Sequence, residues 1–242
     1  GGMGASGLPA GDSTEDSEAA RRAHKEAEAT EMEEAAKWSH ISPRWQTRLL
    51  AVECVRRLLA VLQHPAHFDL KLARESGARP ERYLIEQLQE LISVAFTAAT
   101  APLEAVRPAG IGTLFDIAHK MGEAEDPDYE GKRLLELYAA QISAALRPCL
   151  SPEAEPALAA AGCAATSRYL LAIASSANGH VVDPVAVRKL LSLLLKLASP
   201  AELAAVSFPA YSESSATMVR AAVLQASAQL LEAATAPSAP YA

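Results

Sequence analysis

The residues best suited to binding a metal are His64, His67 and Asp69, which form the one histidine cluster in the sequence. Imidazole nitrogens and a carboxylate are zinc ligands, but a zinc site brings three or four such residues together at ordered spacings. Here Pro65 and a turn intervene, and no Cys or His follows at a ligand-like offset. The pattern favours a loop whose side chains cap helix ends, and we predict no metal site.

A cluster of acidic residues lies in the stretch GEAEDPDYEG, residues 122–131. An EF-hand calcium loop places its oxygen ligands at alternate positions and ends on a glutamate at a fixed spacing. This stretch has neither feature. It is typical of a solvent-exposed loop between helices, which could also serve as a contact surface.

The sequence contains no nucleophile elbow, zinc-protease helix or phosphate-binding loop. The triplet Gly110-Ile111-Gly112 falls inside a predicted helix rather than after a strand, so we interpret it as a site of close helix packing. We therefore predict that the chain is not an enzyme, has no catalytic residue and binds no cofactor.

The first of the predicted helices spans residues 43–62. Ser42 and Pro43 are typical of a helix start. Large apolar residues then recur every three or four positions, at Trp45, Leu49, Val52, Val55, Leu59 and Leu62. Because an aromatic residue at the start of an apolar stripe is usually part of a core, Trp45 is predicted to be a buried anchor against the next helix.

The same apolar spacing predicts helices over residues 80–99, 102–121, 128–147, 151–176, 183–197 and 214–230. Proline or glycine marks most of the breaks between them. We expect a kink near Pro108 and Gly110, since a proline inside a helix removes a backbone donor and crowds the preceding turn.

A Val-Arg pair recurs in the predicted helices, at Val55-Arg56, Val106-Arg107, Val187-Arg188 and Val219-Arg220. The intervals are uneven but fit helical-pair repeats if one copy is degenerate. Long helices joined by short loops favour an antiparallel α-solenoid, and a compact helical bundle is the main alternative.

The four arginines of these pairs, Arg56, Arg107, Arg188 and Arg220, have two interpretations. In the structural one, each lays its stem over apolar surface and bonds an acid or carbonyl of the adjacent repeat. In the functional one, they form a ladder for an acidic partner peptide. We favour the structural role, because a repeat protein needs an interface between every pair of neighbours.

The composition also predicts an all-α fold. Half of the 242 residues are hydrophobic but only 5% are aromatic, and Ala and Leu dominate, which favours closely packed helices. Beyond residue 37 the chain has 20 acidic and 18 basic residues, which argues against nucleic acid or an anionic membrane as partner. No uninterrupted apolar run approaches the roughly 20 residues of a spanning helix, so we expect no direct membrane insertion.

Three cysteines, Cys54, Cys149 and Cys163, are widely spaced and odd in number. We interpret them as reduced, buried thiols of an intracellular protein rather than as a disulfide framework.

Four stretches resemble, in the same order and spacing, a segment of the large HEAT-repeat-containing protein five family, which includes the fungal protein associated with the trans-Golgi clathrin adaptor. They are PRWQTRLLAVECVRRL (43–58), AHFDLKLARE (66–75), LISVAFTAAT (91–100) and ISAALRP (142–148). The resemblance covers residues 40–150 well and residues 151–235 only in general HEAT character.

The resemblance implies a HEAT/armadillo-like antiparallel α-solenoid that assists clathrin adaptors in endosome-to-Golgi transport and endocytosis. The implied partners are the adaptor complex and its accessory proteins. The implied location is the cytoplasm, with peripheral association with trans-Golgi, endosomal or endocytic vesicles through partners. The resemblance assigns no catalytic or partner-binding residue in this chain. The alternative is a regulatory or substrate-binding helical domain of a larger enzyme.

We accordingly divide the chain into three segments. Residues 1–37 hold nine acidic and four basic side chains without apolar periodicity and are predicted to form a disordered tail. Residues 38–236 are predicted to be HEAT-like helical repeats. Residues 237–242 have the composition of a linker.

Overall fold

The computed structural model describes residues 44–77, 82–129, 131–151, 153–174, 184–199, 201 and 212–235. The helices within these ranges all belong to one compact unit, Trp45–Ala242. The predicted tail (1–37) and the predicted linker (237–242) lie outside the described residues, so that division stays a prediction.

The described ranges are predominantly helical. The α-helices are, in chain order, α1 (Trp45–Val61), α2 (Leu70–Glu75), α3 (Leu88–Ala99), α4 (Arg107–Met121), α5 (Ala139–Leu146), α6 (Pro156–Ala174), α7 (Pro184–Leu197) and α8 (Glu213–Thr235). Short 3₁₀ turns lie at Pro65–His67, Leu84–Gln87, Glu104–Val106, Leu134–Tyr138 and Arg147–Leu150.

These helices pack in two rows. The first row runs α1, α4, α6, α8, and each of its helices packs against the next. The second row runs α3, α5, α7 and lies against the first. Because the main contacts connect neighbours along a row or across the two rows, the array is a one-dimensional stack. The predicted all-α solenoid is thereby confirmed.

A continuous apolar core lies between the rows and draws on helices of both. Among its most deeply buried side chains are Ile92, Ile111, Leu146, Tyr169, Leu190 and Val223. Each large apolar side chain that is fully buried stabilises the fold by roughly 1.5–3 kcal/mol. This shared core holds the two rows in place.

The third helix of the first row, α6, packs against α4 and α8. By length and composition alone, α6 is apolar enough to cross a membrane. Its most apolar 18-residue stretch has a mean hydropathy of 1.4, and 61% of that stretch is buried within the protein. Burial between two neighbouring helices accounts for this composition, because a helix that is covered on several sides needs few polar residues.

The close packing predicted for Gly110 is confirmed. A Cβ atom built on Gly110 would lie 2.7 Å from the carbonyl carbon of Ala98 and 2.8 Å from the backbone oxygen of Ala95. Only glycine allows the backbones of α3 and α4 to approach this closely.

Four of the predicted helices begin later than expected, since α3, α4, α5 and α6 begin at Leu88, Arg107, Ala139 and Pro156 rather than at residues 80, 102, 128 and 151. Pro108 lies in the first turn of α4, which begins at Arg107, so the predicted kink inside a helix of residues 102–121 is wrong. Proline is favoured at a helix start, where its missing N–H has no partner to lose. The helix predicted over residues 128–147 is also wrong at its start, since a 3₁₀ turn, Leu134–Tyr138, precedes α5.

Candidate partner-binding groove

An open apolar groove of about 560 Å³ lies between α1 and α3. Its floor is a small buried cluster formed by Val52, Ala98 and Val106. Its rim carries three large apolar side chains, Trp45, Val94 and Leu103, which are 43%, 41% and 42% exposed. An exposed apolar concavity of this kind is typical of a binding surface.

The prediction that Trp45 is a buried anchor is therefore wrong. Trp45 is the first residue of α1 and, together with Val52, it lines the groove between α1 and α3. Its spacing from Val52 and Leu59 correctly places it on the apolar side of α1. The described residues leave that end of the helix uncovered, and the indole remains partly in solvent.

The polar groups of the groove are few. Arg48 is the one charged side chain in its lining, and Ser93 and Thr97 add hydroxyl groups from α3. Within the described ranges no carboxylate forms an ion pair with Arg48. The groove therefore offers an apolar floor and a positive group at its edge.

Arg56 and Arg107, which belong to the Val-Arg pairs, both make structural contacts. Arg56 of α1 donates from Nε to Asp116 Oδ2 of α4 at 2.8 Å, and its Nη1 lies 3.4 Å from Glu53 Oε1. Burial lowers the pKa of the Arg56 guanidinium, but the hydrogen bond and charge of Asp116, with the charge of Glu53, raise it by more. The net pKa shift is upward, so this arginine is a permanent cation that connects the first two helices of the row.

Arg107 stabilises one wall of the groove. Its Nε donates to the Ala101 carbonyl at 2.7 Å and its Nη2 to the Pro102 carbonyl at 3.3 Å, and both acceptor residues line the groove. These bonds fix the connection between α3 and α4 on which Leu103 lies.

The other two arginines lie elsewhere in the array. Arg188 is exposed on α7 in the second row, and Arg220 is half-buried on α8 in the first. The choice between a structural role for the four arginines and a ladder for an acidic peptide stays a prediction.

The histidine cluster caps local structure. His64 Nδ1 accepts a hydrogen bond from the Ala66 amide at 3.3 Å, and Asp69 Oδ1 accepts from the amides of Lys71 and Leu72 at the start of α2. The His67 and Tyr83 rings meet edge to face at 5.4 Å. The interpretation of His64 and Asp69 as helix-capping residues is confirmed.

The acidic stretch after α4 is more ordered than a solvated loop. Asp126 is buried, its amide donates to the Lys132 carbonyl at 2.8 Å, and an antiparallel bridge pairs Glu125 with Arg133. The Lys71 ammonium contacts Glu125 Oε2 at 2.5 Å and so joins the loop to α2. The expectation of a solvent-exposed loop is therefore wrong for part of the stretch, because local hydrogen bonds and ion pairs fold that part onto the protein.

The cysteines divide into two kinds. Cys149 and Cys163 are buried free thiols, as predicted, and burial raises the pKa of each to about 12. Cys54 is an exposed free thiol on α1, so the prediction that it is buried is wrong.

The sequence did not indicate the groove. Two apolar residues of the groove, Val94 on α3 and Leu103 after Pro102, lie outside the apolar spacing that predicted the helices, and they are the features of the sequence that could have pointed to it. Single exposed apolar residues are common on protein surfaces. Only the packing of α1 beside α3 shows that these two lie together with Trp45.

Comparison with known proteins places the chain beside a protein family and a curated relative. A family profile described as the Laa1/Sip1/HEATR5 HEAT repeat region matches residues 83–241. Protein SWEETIE of Arabidopsis thaliana is 33% identical over 192 residues, which is 77% of this chain and 8% of that relative. The chain thus spans a small part of the length of the curated relative that it matches. No solved structure matches the chain.

Proposed function

The chain belongs to the Laa1/Sip1/HEATR5 family of HEAT-repeat proteins, and from this premise we propose that it is a non-enzymatic scaffold segment that binds protein partners in clathrin-adaptor-dependent membrane traffic. HEAT repeats are helical scaffolds that generally mediate protein–protein interactions. The proposed setting is endosome-to-Golgi transport and endocytosis. The proposed location is the cytoplasmic face of trans-Golgi, endosomal or endocytic vesicles, reached through partners.

The observation that carries the proposal is the groove between α1 and α3. Trp45, Val94 and Leu103 expose apolar surface around a floor that is already packed. Aromatic and apolar anchors in a concave site are typical of binding hot spots. The network around Arg56 and the carbonyl contacts of Arg107 hold the walls in position without an occupant.

The partner segment that fits this groove is an amphipathic helix with an acidic side chain. A groove between two helices accepts a third helix through apolar residues at i, i+3 or i+4, and i+7. The groove lies beside α3 at the start of the second row, where a docked helix would extend that row. Arg48 at the rim supplies the complement to a carboxylate.

Affinity capture of the protein as the cell makes it, followed by mass spectrometry, tests the proposal. We expect clathrin-adaptor or coat components among the captured proteins. We also expect a double variant, Arg48→Glu with Leu103→Asp, to lose them. Val185→Ala, which truncates an apolar side chain that is 73% exposed on α7, is the matched control.

The outcomes separate the parts of the proposal. Partners that include no adaptor or coat component would argue against the traffic role. Adaptor capture that survives the double variant would retain the traffic role and exclude the groove. A catalytic domain elsewhere in the same polypeptide would favour the alternative, a regulatory or substrate-binding helical domain of a larger enzyme.

A further inference from the structure

The exposed face of α7, the last helix of the second row, carries positive charge. Arg188, Lys189 and Lys196 are all exposed, and the helix itself contains no Asp or Glu. We call these three side chains the α7 cations. The nearest acids in the sequence are Asp183 before the helix and Glu202 after it, and both lie outside the described residues. The surface of a soluble protein usually mixes charges of both signs, so a helix with cations alone is distinctive.

The α7 cations lie on the side of the helix that faces away from the core. Leu190 and Leu194 are fully buried, and at 3.6 residues per turn the three cations point away from them. Lys189 and Lys196 are seven positions apart, which separates them by about 10 Å along the helix axis. The face therefore presents two lysines two turns apart, with Arg188 beside the first.

The ion pairs of the array lie elsewhere. They join cations to acids within residues 53–133, as in Arg56 with Asp116 and Lys71 with Glu125. Within the described ranges, no carboxylate forms an ion pair with any of the α7 cations. Their charge is therefore not neutralised by the part of the chain that the structure describes.

We infer that the α7 cations bind an acidic segment of a partner protein, whose Asp and Glu side chains pair with the two lysines two turns apart. Complementary charge across an interface speeds association and selects the partner. Leu195, which is 54% exposed beside Lys196, adds an apolar contact. This surface is separate from the groove, whose lining includes no residue of α7. The proposed scaffold thereby has a second place for a partner.

An anionic membrane is the other partner that a cationic face can have. Cationic clusters that bind anionic lipids typically contain roughly four to eight Lys or Arg residues, and α7 has three. Beyond residue 37 the chain has 20 acidic and 18 basic residues, so the body as a whole adds no net attraction to such a surface. A protein segment needs only a few carboxylates in matching positions, and we therefore favour it.

The exposed position Ser192 lies between the α7 cations and allows the partner to be trapped. Its hydroxyl donates to the Lys189 carbonyl of the same helix at 2.8 Å. In the protein as the cell makes it, Ser192 is replaced by the photoreactive residue benzoylphenylalanine, and crosslinked peptides are identified by mass spectrometry. We expect a crosslink to a separate protein, at a peptide rich in Asp and Glu. The same photoreactive residue at Gln225, an exposed position on α8, is the control and should not crosslink that peptide.

Charge reversal tests whether the contact is electrostatic. Lys189→Glu with Lys196→Glu should lower the yield of this crosslink at least about tenfold, because each change replaces attraction with repulsion. The matched control, Arg44→Glu with Arg82→Glu, makes the same change in net charge at two other exposed positions and should leave the yield unchanged. Because all four side chains are exposed, both double variants should melt at the temperature of the wild type.

Several outcomes would overturn the assignment of α7 to an acidic protein segment. Crosslinking to lipid would assign the face to a membrane, and crosslinking only within the same polypeptide would show that the chain covers it. A crosslinked peptide without acidic residues, or a yield that survives the double lysine variant, would show that charge does not hold the partner. The absence of any crosslink would leave α7 as a face in contact with solvent alone. Adaptor capture through the groove is measured separately, so either proposal can fail without the other.

Discussion

The guanidinium of Arg56 lies directly over Gly112, where a side chain would displace it. Its Nε donates to Asp116 Oδ2 at 2.8 Å, and a Cβ atom built on Gly112 would lie 2.8 Å from its Cζ atom. The residue type at 112 and the acid at 116 thus hold one arginine of α1 against α4. The contact between α1 and α4 therefore depends on glycine at position 112, which leaves room for the guanidinium, as well as on the ion pair with Asp116.

The Arg56–Asp116 pair should contribute a small, measurable coupling energy. The side chains are 34% and 24% exposed, so solvent screens their attraction, and we expect about 0.5–1 kcal/mol. A double-mutant cycle of Arg56→Ala and Asp116→Ala, followed by urea unfolding, measures it. Strictly additive single-mutant effects would show that the pair is not coupled in solution.

The two glycines of α4 should differ in their response to alanine. In Gly110→Ala the new methyl group meets the backbone of Ala95, Ala98 and Ala99, so the helices must separate, and we expect a loss of about 3 kcal/mol or more. In Gly112→Ala it meets only the mobile end of Arg56, and we expect about 1 kcal/mol. Thermal and urea unfolding of both variants compare them, and equal losses would contradict the close approach at Gly110.

The sequence predicted the features that depend on periodicity. Apolar spacing identified the helices, and the array of two rows follows from long helices joined by short connections. The Gly110 triplet was correctly assigned to helix packing because it lay inside such a pattern. These features are local, and a single sequence contains them.

The sequence did not predict the features that depend on whether another helix or loop packs against a residue. Trp45 and Cys54 lie in apolar patterns, yet both are exposed, because periodicity shows that a face is apolar and not that another helix covers it. The prediction that the acidic stretch after α4 is a solvent-exposed loop was wrong in part for a related reason. Its order comes from contacts such as Lys71 with Glu125, which join residues 54 positions apart.

Protonation of His119 should weaken the contact between α4 and α6. Slight burial of the mostly exposed ring lowers the pKa of His119, with further lowering by Arg168 and Lys120 against an opposing effect of Asp116. The folded-state pKa is therefore below the unfolded value of about 6.5, so the unfolded state binds the proton first. The free energy of unfolding should therefore be highest above about pH 6.5, where His119 is neutral in both states. It should fall as the pH drops from there to the lower folded-state pKa.

Unfolding free energies of the wild type and His119→Gln at pH 8 and pH 5 test this effect. The wild type should lose more stability than the variant between the two values, and the difference should be small because the ring is exposed. The remaining histidines are present in both proteins and cancel in the comparison. A larger pH loss in the variant would reverse the sign and contradict the lowered pKa.

Replacing Trp45 should separate stability from binding. Its side chain is 43% exposed, so Trp45→Ala should cost about 1–2 kcal/mol rather than the roughly 3–5 kcal/mol of a buried tryptophan. The indole nevertheless forms part of the groove rim, so capture of the partner should fall at least about tenfold if Trp45 is a hot spot. Urea unfolding and quantitative affinity capture measure the two effects on the same variant. A loss as large as that of a buried tryptophan would show that another segment covers Trp45. Unchanged capture of the partner by a stable variant would show that the groove is not part of the partner interface.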